Sequence, residues 1–229
     1  MTDSDGTASF SGALQALKRR GSALLVVGAV PEEAHRTASR HMLGAPAATP
    51  PRRRLLVTRE NARESARRRL RDSGPSGPGY TRLLACSTGT RGASVAPSSA
   101  PGGGVAEAHA DCDPRELGPA VREQLSAFER AAGSLSPGEL RVGFDPTPTL
   151  VDAGGLEGAF GFLHAFGWQV RSLNGMVHVR FPRSRDDRAT RTLAPLFDAL
   201  VELRVCPDGG VQHRWDLRGS GRSEWLGFE

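Results

Sequence analysis

The sequence predicts an α/β fold: a mainly parallel central sheet with helices on both faces, in three layers, closed by a C-terminal antiparallel hairpin. Three observations carry it. Short, continuously apolar runs such as Ala23–Val27 and Leu140–Phe144 read as strands covered on both faces. They alternate with segments of helical period about 10 to 15 residues long, the spacing that crossover connections between parallel strands require. The alternation stops at the turn PDGG, after which Val211–Leu217 reads as the return arm of an edge hairpin.

The elements follow in order. Ser9–Arg20 spaces Phe10, Ala13, Leu14 and Leu17 as one helical face and stops at Gly21. Ala23–Val27 is the first strand, and Pro31 opens a helix over Glu32–Leu43 that ends at Gly44. Leu55–Val57 is a strand, Asn61–Arg71 a polar, arginine-rich helix, and Leu83–Cys86 another strand. Residues 88–104 are dominated by Gly, Ser, Pro and Ala and are expected to form a flexible loop, as residues 1–8 are expected to be disordered. VAEAHADCD reads as a short strand, and Pro114–Ala132 repeats Leu117, Val121, Leu125 and Phe128 on one helical face. Leu140–Phe144 (strand), Leu156–Val170 (helix), Met176–Phe181 (strand), Arg188–Leu200 (helix) and Val201–Val205 (strand) complete a single domain over 9–229.

The chain has 229 residues, 38% of them hydrophobic, which suits one domain with a proper core. No apolar run nears the roughly 20 residues of a membrane helix, and MTDSDGTASF is unlike a secretion signal, so a cytoplasmic protein without membrane contact is expected. Cys86, Cys112 and Cys206 are odd in number and lack a CxxC, which argues against a disulfide framework and a zinc ribbon. They read as small buried residues. The net charge of +5 is uneven: Met1–Arg91 holds 16 basic and 7 acidic residues, the remainder 14 and 18. Lys18 is the one lysine.

ELRVGFDPTPTLVDAGGLEGAFGFLHAFGWQV and the stretch through FDALVELR resemble the second half of a RecA-like ATPase core, particularly its KaiC-type branch. In that family an apolar strand ends in an aspartate and is followed by a hydroxyl-rich turn, a helix, a strand, a helix carrying an aspartate at its end, and a strand reading like VELR. The resemblance puts Asp145 at the magnesium-associated Walker B position, and Phe197–Arg204 at the later helix-to-strand junction. About two-thirds of the chain follows this order, and the whole chain is similar to a group of small haloarchaeal proteins.

The departure is at the phosphate loop. In G-x-x-x-x-G-K-[ST], glycine lets backbone amides curl around phosphates, lysine neutralises them and the hydroxyl ligates magnesium. Counted from Gly28, the second glycine falls on Glu33, the lysine on Ala34 and the hydroxyl on His35. Glu32 and Glu33 place carboxylates at the helix start, where they complement the dipole and repel a polyphosphate. Each such charge about 5 Å from an anion costs on the order of 3 kcal/mol at an effective dielectric near 20. Pro146 also stands where the family commonly has a small hydroxyl residue, with Thr147 one place later. No catalytic residue, cofactor or metal is therefore expected.

Other constellations give bland readings. His109, Asp111, Cys112 and Asp113 crowd in AHADCD, but no second cluster has ligand spacing, and Asp113 reads as an N-cap before Pro114. His35 and His41, six apart, read as surface residues, and His164 and His178 as hydrogen-bonded structural ones. Arg52, Arg53 and Arg54, with Arg63, Arg67, Arg68, Arg69 and Arg71, are the best case for a nucleic-acid or acidic-partner surface, though no aromatics are interleaved to stack bases. The expected function is a catalytically silent regulatory or scaffolding module that binds a protein partner or itself, with the hairpin tryptophans Trp215 and Trp225 as first candidates for contact. Nucleic-acid association through the arginine-rich half and residual ATP binding are the alternatives.

Overall fold

The computed structural model describes residues 3–89 and 104–228. Helix α1 (Asp3–Arg20) leads into β1 (Ser22–Val27), α2 (Glu32–Leu43), β2 (Arg53–Arg59), α3 (Arg63–Asp72) and β3 (Thr81–Ser87). β4 (Ala106–Asp111), α4 (Pro114–Ala132), β5 (Leu140–Phe144), α5 (Thr147–Ser172), β6 (Met176–Phe181) and α6 (Arg188–Leu193) follow. β7 (Ala199–Val205), β8 (Val211–Leu217), β9 (Gly221–Arg222) and β10 (Leu226–Gly227) close the chain. The strands form one sheet in the order β10-β8-β7-β1-β6-β5-β2-β3-β4, with β9 paired to β8. Pairings from β7 through β4 are parallel, and those of β8 with β7, β9 and β10 are antiparallel.

Right-handed crossovers decide which face each helix covers. α2 and α3 carry the chain from β1 outward to β2 and β3, whereas α4, α5 and α6 carry it back toward β7, so the two groups must lie on opposite faces. The core divides accordingly. Leu117, Val121, Leu125 and Phe128 of α4 join Phe162, Phe166 and Val170 of α5 on one face; Ala38 and Met42 of α2 join Leu17 of α1 on the other, and Ala66 and Leu70 of α3 form a smaller cluster. Phe144, fully buried, forms a triangle of rings with Phe162 and Phe166, at 5.5 and 5.4 Å from them.

Several boundaries depart from expectation. α1 begins at Asp3, and the expected loop at 88–104 lies largely outside the described residues. α5 starts at Thr147 rather than Leu156 and breaks at Gly155, whose φ of 68° and ψ of 173° divide it into two helical pieces. The break lets Gly154 approach the start of α4, where an added Cβ would lie 2.6 Å from the ring of Pro114. The helix expected over Arg188–Leu200 stops at Leu193; a 3-10 turn over Ala194–Leu196 with Pro195 in it ends the segment, and Ala199 already belongs to β7. Asp198 pins that junction, accepting from the Ala23 amide at 2.9 Å and pairing with Arg20 and Arg171.

The cysteine reading is corrected. Cys86 and Cys112 are buried, as expected, but are joined in a disulfide with Cα atoms 5.1 Å apart. The parallel β3–β4 pairing sets Cys86 against Ala110, two residues before Cys112, a proximity that a sequence separation of 26 conceals. Closing a loop of 26 residues removes conformational freedom from the unfolded chain worth about 3.5 kcal/mol. Alkylation of the denatured, unreduced protein should therefore label Cys206 alone; labelling of all three cysteines would contradict the bridge.

Candidate functional site

Parallel sheets bind ligands beyond the carboxyl ends of their strands, where neighbouring strands send their helices to opposite faces. Here that condition holds at β1 beside β6 and at β5 beside β2. The residues gathered there are Gly28 and His35 from the β1–α2 turn, Asp145 after β5, Arg180 near the end of β6, Thr58 on β2 and Arg69 on α3. Apart from Gly28, these residues together with Glu32 line a cavity of about 10 Å³, room for a single water.

In the β1–α2 turn and the first turn of α2, two backbone donors are committed within the chain. The Gly28 amide donates to the Arg183 carbonyl at 2.8 Å, and the Gly28 carbonyl accepts from His35 Nε2 at 2.9 Å. Gly28 has a φ of +143°, and a Cβ there would lie 2.8 Å from the Leu203 carbonyl oxygen, so close packing explains the glycine without any phosphate. Pro31 offers no N–H, and the Ala34 amide bonds the Pro31 carbonyl at 3.0 Å. Glu32 and Glu33 of the first turn pair with Arg36 at 3.0 and 3.2 Å, laying an ion-pair cluster over the helix start.

Asp145, its side chain 11% exposed, is ion-paired through Oδ2 to Arg69 Nη2. Burial alone would raise its carboxyl pKa; the charge and hydrogen bond of Arg69, with Arg180 and His178 adding to them, overcome this and hold it below the ordinary carboxylate value. A carboxylate already engaged with a guanidinium is a poor magnesium ligand, since that ion demands its oxygens at close octahedral range.

His35 is 2% exposed, not a surface residue as its spacing from His41 suggested. The periodicity of α2 turns it into the face that carries Ala34, Ala38, Ser39 and Met42, and His41 outward onto Phe228 at 4.8 Å. His178, 1% exposed, shares a 2.8 Å hydrogen bond with Ser39 Oγ. Burial is the chief cause that lowers both imidazoles to about 4, so both are neutral at pH 7 and neither supplies the positive charge that the missing lysine would bring. His164 lies exposed on α5.

The arginine runs are largely committed inside the molecule. Arg54 is 0% exposed and donates to the carbonyls of Leu43, Gly44, Ala45 and Arg52, capping the end of α2. Arg53 pairs with Glu139 at 2.7 Å, and Arg63 and Arg67 share Glu107 at 2.6 Å each. Arg52 donates to the Gly138 carbonyl and Arg71 pairs with Glu64, which leaves Arg68 alone of the eight exposed without a partner among the described residues. Asp113 caps α4 through Arg115 N, and no group of three or more His, Cys, Asp or Glu among the described residues is disposed to hold a metal. Trp215 packs against the core cluster that holds Leu203 and Leu217, and the guanidiniums of Arg204 and Arg214 lie over the Trp225 ring at 4.1 and 4.5 Å. Sequence reasoning missed Arg69 and Arg180 as the companions of Asp145. A signal existed for Arg180, a single arginine near the end of an apolar strand; Arg69 is hidden in a run of arginines.

Residues 21–203 match the sequence profile of DUF7504, a family of unknown function. The chain belongs to this family. The match runs from the residue before β1 through most of β7 and so includes every residue of the Asp145 cluster, while α1 and the β8–β10 hairpin fall outside it. No curated protein matches the chain. No described helix is long and apolar enough to cross a membrane.

Two outcomes follow for the DUF7504 chain. Arg69→Met leaves Asp145 buried without its main partner and should cost about 3–5 kcal/mol in urea unfolding, with Arg69→Met/Asp145→Leu recovering over half; simply additive losses would contradict a coupled pair. His35 and His178 have folded pKa values near 4, below the ordinary 6.5. Their contribution is complete above pH 6.5 and is lost as pH falls toward 4, by up to about 1.4 kcal/mol per pH unit for each. The urea midpoint should therefore drop between pH 7.5 and 5, and His35→Asn/His178→Asn should flatten that drop.

Proposed function

We propose that this chain is a non-catalytic, cytoplasmic relative of the RecA/KaiC-like P-loop ATPases that works as a regulatory or scaffolding module through protein contacts. One observation carries the reading: the residues standing at the positions that hold phosphates and magnesium in that family are engaged by the chain's own groups. Arg69 holds the Walker B-like Asp145, His35 bonds back to Gly28, and Glu32 and Glu33 cover the start of α2. The resemblance to the ATPase family is supported by the three-layer parallel sheet, by Asp145 at a strand's carboxyl end, and by its nearness to the first turn of α2.

A contact surface is available on α5. Phe160, His164 and Trp168 stand at successive four-residue spacings on its outer side, and Trp168 is 64% exposed, the most exposed large hydrophobic residue among those described. Tryptophan on a solvent-facing helix stripe is the kind of anchor that protein interfaces use. This stripe supports the reading better than Trp215 and Trp225, whose rings are already engaged. A nucleic-acid surface in the arginine-rich half has less support, because carboxylates and carbonyls occupy most of its guanidiniums.

Calorimetric titration with Mg-ATP tests the central element. No saturable heat is expected up to about 1 mM nucleotide, and binding in the micromolar range would overturn the reading.

A further inference from the structure

A second concavity runs from the amino-terminal ends of β5 and β6 across to the β8–β10 hairpin. It is a groove of about 600 Å³, within the roughly 300–1,000 Å³ usual for small-molecule sites. One end is formed by Lys18 near the close of α1 and Arg141 on β5, its flank by Met42 of α2 and Met176 of β6, and its far end by Trp215 and Phe228 beside the hairpin. β5 and β8 are four strand spacings apart in the sheet, so the groove spans about 19 Å. His213 stacks on Phe228 at 4.3 Å, and His41 lies against the same ring at 4.8 Å, which fixes the apolar end.

The cationic end is uncompensated. Arg141 donates Nε to the Gly138 carbonyl at 3.1 Å and Nη1 to Met176 Sδ at 2.7 Å, and its Nη2 has no acceptor among the described residues. Neither Arg141 nor Lys18 has a carboxylate partner there; Arg20, next along, pairs with Asp198, and the nearby Glu139 is held by Arg53. Arg52 and Arg54 stand close enough to Arg141 that they, after burial itself, pull its pKa down to about 10. A partly buried guanidinium among like charges favours an anion.

We propose that this groove binds a monomeric, elongated amphiphilic organic anion, its carboxylate or phosphate at Arg141 and Lys18 and its apolar body along Met42 and Met176 to Trp215 and Phe228. The charge asymmetry selects that chemistry: cations without counter-charge at one end, aromatic rings and thioethers along the rest. The site is separate from the Asp145 cluster and does not depend on whether the latter binds nucleotide. Lys18, Trp215 and Phe228 lie outside the residues matched by the family profile.

The probe is dansylaminoundecanoic acid, with its uncharged methyl ester as control, followed by dansyl fluorescence on the full chain. Saturable one-to-one binding of the acid in the micromolar range is expected. Arg141→Gln should weaken the acid about tenfold or more while changing the ester by less than about twofold, and Phe228→Ala should weaken both. Lys18→Glu, at an exposed helix end, provides the same comparison if Arg141→Gln fails to give a cooperative melt. Absence of saturable binding, equal affinity for acid and ester, or acid binding unaltered by the charge substitutions would overturn the proposal.

Discussion

A buried carboxylate must be neutralised, protonated or paired, and Asp145 is paired. Taking an ion of this size out of water costs several kcal/mol even after relaxation, so the Asp145 charge can persist at the sheet's carboxyl edge only because Arg69 meets it there. That requirement orders its surroundings. α3 must present Arg69 inward, and Ala66 and Leu70 on the same face pack against Leu56 and Leu83 to hold the helix in place. Arg180 adds a second positive charge, and His35 and His178, hemmed in by these groups, stay neutral.

Viewed along its strands, the sheet has two unlike ends. At its carboxyl edge Arg69 pairs with Asp145, Arg36 with Glu32 and Glu33, and His35 with Gly28, while Asp145 Oδ1, Arg69 Nε, Arg180 Nε and His35 Nδ1 are buried without a hydrogen-bond partner among the described residues. Its amino edge carries Arg52, Arg54 and Arg141 with carbonyls as their main acceptors and no carboxylate between them. The ion pairing thus differs between the two ends: Asp145 is met by Arg69 at one, whereas at the other Arg141 has no carboxylate partner and the neighbouring Glu139 is taken by Arg53.

How much of this was legible in the sequence depended on whether the deciding contact was local. α2, α4, β5, β6 and β8 were readable to the residue, because apolar period, Pro31, Gly44 and Asp113 are signals within one element. The departure from a phosphate-loop pattern was equally plain, since Glu33, Ala34 and His35 occupy fixed positions after Gly28. What replaced it was not plain. Arg69 and Asp145 are 76 residues apart, and only the placement of β2 beside β5 brings α3 over the aspartate. The disulfide between β3 and the end of β4 was hidden for the same reason, whereas the early end of α6 had a local signal in Pro195, with Asp198 then binding the start of β1.

A crystal of the protein soaked with magnesium and a non-hydrolysable ATP analogue tests the central claim most directly. The account predicts Arg69 still seated on Asp145, and no phosphate density beside Gly28. Phosphates lying against Gly28 and His35, with Arg69 swung away and a metal on Asp145, would contradict it.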